Sequence, residues 1–369
     1  MRTHFLIPMV LLTCASLFSC IEDSGNSAGS LPSAQGAPGE VILVIDSNTF
    51  NGIVGDQIKE IFFNKVEFLP RSERVFDLRR VNPGKMNAVL KQAKNIIYVT
   101  VLNDKSKGNR ILKTNFTKES IKQINEKPDL FKFSKQNEFA RGQEILHLFG
   151  LTEEDLARNL AENQESLRSH FNKIEEKRKY KKVYGAKEVK GIEAVIQKKF
   201  EAKLKVPHGY ELVIEDENFA WIRLLHNDAD RSIFITYKEY TSEEQFHKDS
   251  IISFRNEMAK KHIFGNPEKP MSFVVIENKY FPVFTNEVNF NGKYAVEMRG
   301  LWKTNTDGST GPFLGGPFVS YTFVDERLKR LYYIEGFLYC PDRKQREFVR
   351  ELEVILKTFQ DSSELQSSK

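Results

Sequence analysis

Cysteine is scarce in this chain: three in 369 residues, at positions 14, 20 and 340. With so few, no disulfide framework and no cysteine-built zinc site is possible. Tryptophan is rarer still, with two residues. After the first twenty residues no stretch is apolar enough to span a bilayer. Seven histidines are present, and none stands in a His-Glu-x-x-His or other metal-ligand spacing, so the sequence implies no metal and no cofactor. A Gly-x-Ser-x-Gly nucleophile elbow is missing, and no catalytic residue can be named. Neither sign of charge dominates: the net charge is +5, with lysine and glutamate interleaved. That balance excludes a nucleic-acid-binding protein as a first reading. Hydrophobic residues make up 40% and aromatic residues 12%, which is enough for a real core, and the 29 phenylalanines favour strand-rich packing.

What is present begins with a leader. Arg2 precedes an apolar run from Phe5 to Leu17, and Leu17-Phe18-Ser19-Cys20 closes it with a small residue directly before a cysteine. This is the shape of a lipoprotein signal: residues 1–19 removed, Cys20 acylated on its sulfur and its new amino terminus. Phe18 is bulkier than this signal usually carries. Cys14 would leave with the leader, and Cys340 would remain as a single, half-buried thiol. Residues 20–39 are rich in Ser, Gly, Ala and Pro and read as a flexible tether of roughly 25 Å. The expected location is the cell envelope, on the outer membrane by its lipid, facing periplasm or surface.

Residues 40–150 read as an α/β domain. Val41-Ile42-Leu43-Val44-Ile45 and Asn95 to Val101 are continuous apolar runs, the mark of strands buried on both faces. Helices are expected around 54–63, after Pro83-Gly84, and after Thr117, with a further strand at Glu144–Phe149. Residues 151–205 read as a long helical connector. Thr152-Glu153-Glu154-Asp155 predicts an N-cap, and Leu156, Leu160, Leu167, Phe171 and Ile174 predict one apolar seam in a single helix to about Tyr184. The stretch Lys173 to Lys182 is charged on most sides. It reads as a solvated helix end, with a basic patch for anionic lipid or glycan as the alternative.

Residues 206–360 read as a mainly antiparallel α+β domain, opening at Pro207-His208-Gly209-Tyr210. Successive short strands are interrupted by a helix to about His262 and followed by an amphipathic helix carrying Phe348, Leu352, Ile355, Leu356 and Phe359. The order resembles the α-β-α sandwich of PsbP-like and Mog1-like proteins, a likeness of fold that does not carry function. Residues 361–369 are expected to be disordered. The whole is therefore α+β.

Glu335 stands out as an acid inside the apolar strand Leu331–Phe337, beside Gly336. A carboxylate there needs a partner. Arg299 and Glu297 on an earlier strand are expected to reach it, with Trp302 beside them, forming either a polar binding site or a register-fixing ion pair. Gly315 and Gly316, within Gly311–Pro317, are the other candidates, as backbone donors for an anion, against a tight crossover.

Val41–Asp46, Phe219–Arg223, Leu314–Ser320 and Glu335–Pro341, together with Cys20 and its acidic neighbours, resemble the Bacteroidota lipoproteins of domain-of-unknown-function family 4837. The likeness would cover essentially the whole mature chain. It implies a compartment and a fold, and brings no established activity, substrate or cofactor. The expected function is that of a non-catalytic, lipid-anchored binding or scaffold protein, its partner an envelope protein or glycan. The alternatives are an envelope hydrolase using Glu335 as acid or base, and a module for a small apolar or anionic ligand, which a pocket between the domains would favour.

Overall fold

The computed structural model describes residues 31–367 apart from 128, 187–188, 267, 270 and 306–313. The leader, Cys20 and Gly311–Phe313 lie outside the described residues. In the N-terminal part the buried runs form a sheet of β1 (Glu40–Ile45), β2 (Asp77–Val81), β3 (Asn95–Val101), β4 (Lys132–Gln136) and β5 (Glu144–Gly150), in the order β2-β1-β3-β5-β4. All pairs are parallel except β4 with β5. Alternation along β1 supplies both faces. Val41, Leu43 and Ile45 pack on one face with Val54, Ile58 and Leu156, and Ile42 and Val44 on the other with Val81, Tyr98 and Leu112.

Helices α1 (Ser47–Asn51), α2 (Ile53–Phe62), α3 (Lys107–Lys113), α4 (Lys118–Glu126), α5 (Glu153–Glu162) and α6 (Gln164–Val183) complete this part. The segment after Pro83 forms only two short helical turns, Pro83–Lys85 and Leu90–Gln92. Asn82 and Asn87 bond the backbone N–H groups of Gly84 and Leu90, and such turns compete with a continuous helix. The long helix expected over 152–184 is two. Asn163 (φ −119°, ψ 20°) ends α5, and its side-chain amide donates to the Asn159 carbonyl. The apolar seam survives the break: Leu156, Leu160, Leu167 and Phe171 share one core with the sheet.

The second sheet has the order β10-β11-β12-β13-β8-β7-β6, every pair antiparallel. Its strands are β6 (Glu211–Glu215), β7 (Phe219–Leu224), β8 (Asp230–Glu239), β9 (Val274–Glu277), β10 (Phe284–Phe290), β11 (Lys293–Thr304), β12 (Gly315–Asp325) and β13 (Arg330–Tyr339); β9 pairs with the far end of β11. Helices α7 (Lys190–Phe200) and α9 (Arg346–Leu356) cover one face, and α8 (Lys248–His262) the other. This is an α-β-α sandwich. Gly336 lets α9 approach: a Cβ there would lie 2.8 Å from the Cβ of Leu352.

Both ends of the described part, from residue 32 and to residue 367, are more ordered than their composition suggests. Residues 32–36 are pinned to the N-terminal domain: Ala34 N–H donates to the Arg141 carbonyl at 2.9 Å, Arg141 N–H to Pro32, and Lys94 N–H to Gln35. The tether expected over 20–39 is thus bonded to the domain from residue 32 onward. Asp361 and Ser362 are buried rather than disordered. Ser362 donates to the Asp325 carboxylate, Asp361 pairs with Lys293, and α10 (Ser362–Ser367) follows.

His147 on β5 lies stacked between Tyr98 and Phe133, with ring centroids at 5.1 and 4.3 Å, and its Nδ1 has no hydrogen-bond partner. Burial, with a smaller contribution from Lys135, pushes its pKa down to about 4. The unfolded chain takes up a proton near pH 6.5 that the native state refuses, so stability present above that pH is lost as pH falls toward 4. Urea unfolding of wild type and H147F at pH 7 and pH 4 should show the wild type losing about 3 kcal/mol more than the variant over that interval. Parallel losses in the two proteins would mean that His147 is freely protonated in the fold.

Candidate binding cleft

Glu335 occupies the middle of β13, opposite Ser320 on one side and Phe234 on the other. Its partner is Arg255 of α8, which reaches it through two parallel bonds, Nη2 to Oε1 at 2.7 Å and Nε to Oε2 at 2.9 Å. Both side chains are 0% exposed. Tyr333 donates its hydroxyl to the same carboxylate at 2.5 Å, and Arg255 Nη1 donates to the Val274 carbonyl. Burial and the adjacent carboxylate push the Tyr333 phenol well above its ordinary range, so it stays a donor. The group is closed, fully paired and out of reach of solvent.

The expected meeting of Glu335 with Arg299 does not occur. Arg299 is level with Val319, and Val319 with Gly336, so Arg299 shares a face with Gly336 and Glu335 points the other way. A one-residue difference in parity moves a strand side chain to the opposite face. Arg299 instead takes Glu297 by two bonds (2.8 and 2.7 Å) and also bonds Glu353 of α9. Burial opposes the Glu297 charge, but Arg299 overcomes it and holds that carboxyl below its usual range. Trp302 belongs to the core on the α8 side, where its indole N–H donates to the Leu338 carbonyl at 3.0 Å. Gly316 is where backbones crowd: a Cβ there would lie 2.0 Å from the Leu338 oxygen, and one on Gly315 would lie 2.9 Å from the Trp302 oxygen. Both glycines belong to the β11–β12 ladder, which explains them without an anion.

The structure opens elsewhere, between the two sheets' helices. A cleft of about 1280 Å³ is walled by residues 63–69 on one side, by Arg168, Asn172 and Glu176 of α6, by Arg346, Val349, Arg350 and Glu353 of α9, and by Phe284–Asn286 with Arg299. On α6 the spacing of four puts 168, 172 and 176 on one helical face. The Arg299 guanidinium lies 5.0 Å over the Phe68 ring. Among the described residues the exposed Lys65 of the cleft has no ion pair, and Arg168 has no close one. Arg168 bonds the Gln164 side chain and approaches Glu165 only to 3.9 Å, and its buried Nε has no partner.

Beneath the cleft the domains are clamped by charge. The Glu73 carboxylate accepts the backbone N–H groups of Gln345 and Arg346 at 2.6 and 3.1 Å, capping α9 from the other domain. Arg346 returns bonds to the Arg74 carbonyl and Asp77. Glu347 pairs with Lys179 (3.2 Å) and Arg350 (2.5 Å). Burial opposes the Glu347 charge; Arg350, Lys179 and Arg346 outweigh it and keep its pKa low. Lys179, inside a stretch that reads as solvated, is only 9% exposed. Sequence reasoning missed Arg168, Arg350 and the clamp. Their only signal was the mixture of acids and bases on α6 and α9, which is also what a surface helix shows.

Residues 189–358 match a domain of unknown function, DUF4837, and residues 34–184 match a second, DUF8532. Each match covers less than half of the chain. The likeness to DUF4837 therefore stops short of the whole mature chain, and Val41–Asp46 belongs to its neighbour. No curated protein matches. Among solved structures, the Ran-binding protein Mog1p of Saccharomyces cerevisiae aligns at 11% identity over 44% of this chain and 92% of its own, with a TM-score of 0.29. A Mog1 mutant aligns at 12% identity over the same shares, with a TM-score of 0.27. Scores that low carry no argument about function.

The Arg255–Glu335 pair makes a clear stability prediction. E335A or R255A alone should cost about 3–5 kcal/mol, because each strands a buried charge. The double replacement E335L/R255M should cost less than either. Urea unfolding of the four proteins checks this, and additive losses would rule out the coupling.

Proposed function

We propose that this chain is a lipid-anchored envelope protein of the Bacteroidota type that captures an acidic partner in the cleft between its two domains. The observation that carries the reading is the cleft itself: preformed, wide, and lined by Lys65 and the partly exposed Arg168 guanidinium, neither held by a close ion pair. A carboxylate or phosphate of the partner meets these cations, and the partly exposed Phe63 and Phe284 give its apolar parts a surface. A cleft this open suits a protein segment or an acidic glycan better than a small metabolite. The anchor follows from the leader and Cys20, with cleavage before that residue and attachment to the outer membrane. Binding requires no catalytic group. A hydrolase acting through Glu335 has the geometry against it, since substrate cannot reach a carboxylate enclosed by Arg255 and Tyr333.

Two measurements test the two halves of this reading. Cells fed labelled palmitate should label the wild-type chain and not C20S. Crosslinking in intact cells followed by mass spectrometry should recover a partner with wild type, and at least about tenfold less with R168E, consistent with the loss of a charge-assisted contact. The R168E melting temperature should stay near wild type. Equal recovery from both proteins would remove the cleft from the function.

A further inference from the structure

The pinned residues 32–36 border a second hollow, of about 270 Å³, on the N-terminal domain. Its walls carry Lys94, Arg141, Arg178, Lys179 and Lys182 against one carboxylate, Glu175. Positions 175, 178, 179 and 182 fall on one face of α6. Glu175 is already spent: it accepts from Gly39 N–H, the Asn95 amide and Arg178. Arg178 is held rigidly as the floor, donating also to the carbonyls of Lys94 and Gly142 at 3.0 and 2.8 Å. Lys179 is matched by Glu347. Lys94, Arg141 and Lys182 have no ion pair among the described residues, and the Lys94 ammonium bonds only the Gly36 carbonyl, at 2.7 Å. Three uncompensated cations thus surround a concave space that has no acid left to offer.

The position of this hollow matters as much as its charge. Leu31, the first described residue, follows Cys20 by eleven positions, a stretch that spans at most roughly 40 Å. An acyl chain on Cys20 therefore holds the hollow within that distance of a bilayer. Tethering makes the second contact intramolecular, so a site too weak to bind from free solution is occupied at the surface.

We propose that the hollow takes the phosphate of an anionic phospholipid headgroup and seats the N-terminal domain on the membrane. Lys94, Arg141 and Lys182 supply the charge, and Arg178 supplies a fixed floor. The placement by tether rests on acylation of Cys20; the recognition of phosphate does not. Each cation near an anionic surface raises binding by roughly fivefold, an effect that salt reduces.

The test uses the chain from position 20 onward with C20S, which carries no lipid. It should sediment with vesicles of phosphatidylglycerol and phosphatidylcholine in equal parts, and not with phosphatidylcholine alone. R141E/K182E should bind at least about tenfold more weakly at unchanged melting temperature, because both side chains are exposed. K118E/K127E, an equal charge change on and just after α4, should bind like the parent. Equal losses from the two pairs would reduce the effect to net charge and overturn the site. So would failure of the parent to sediment. Stabilisation of the parent by inorganic phosphate, lost in R141E/K182E and without vesicle binding, would assign the hollow to a soluble anion and remove the headgroup. Palmitate labelling is read separately: sedimentation through Arg141 and Lys182 without labelled Cys20 would keep this site and discard the anchor.

Discussion

One carboxylate, beside the packing of Phe68 and Leu69 into the second domain's core, ties the two domains together. Glu73, in the loop before β2, accepts the first N–H groups of α9, a helix of the other domain. Four such groups at every helix start lack partners of their own, and the positive end of the helix favours an acid there. Around this contact Arg346, Glu347, Lys179 and Arg350 form a closed set of partners. Removing these charges from water is expensive, and mutual pairing recovers the cost only in one relative position of the domains. The clamp therefore sets the angle at which α6 and α9 meet, and with it the width of the cleft above. An apolar interface would tolerate sliding; a buried network with matched donors does not.

Much of the fold was legible in the residues. Continuous apolar runs gave β1, β3 and β5, because parallel strands are covered on both faces. A clean apolar stripe gave α9. The errors have physical causes. Asn163 broke a helix whose apolar seam runs on undisturbed across the break, so periodicity could not reveal it. Asparagine side chains replaced the helix after Pro83 by turns. Ser362 and Asp361 looked like a polar tail, yet Asp325 and Lys293 give them partners, and a polar residue with its bonds satisfied can be buried.

The site was much less legible. Glu335 was recognisable as a buried acid in an apolar strand, but its partner lay on a helix 80 residues away in sequence. Arg299 looked suitable from the sequence, and the register of β11, β12 and β13 put it on the other face. Pairing across a sheet depends on register, which residue type does not determine. The cleft was harder still. Its walls come from both domains, and Arg168 and Arg350 have nothing about them in sequence that separates them from solvated arginines. An interdomain concavity is a property of the clamp, and the clamp joins positions about 270 residues apart.

The two family matches end and begin at residues 184 and 189, as if the halves were exchangeable parts. The capping of α9 by Glu73 says otherwise. A gene carrying only the second half would leave that helix start facing water, together with Arg346 and Glu347, and a gene carrying only the first would leave Glu73 and Lys179 without their counterparts. Shuffling either half onto a foreign neighbour would have to rebuild the contact from both sides at once. In this chain the two regions are joined physically at the start of α9, whatever their family boundary.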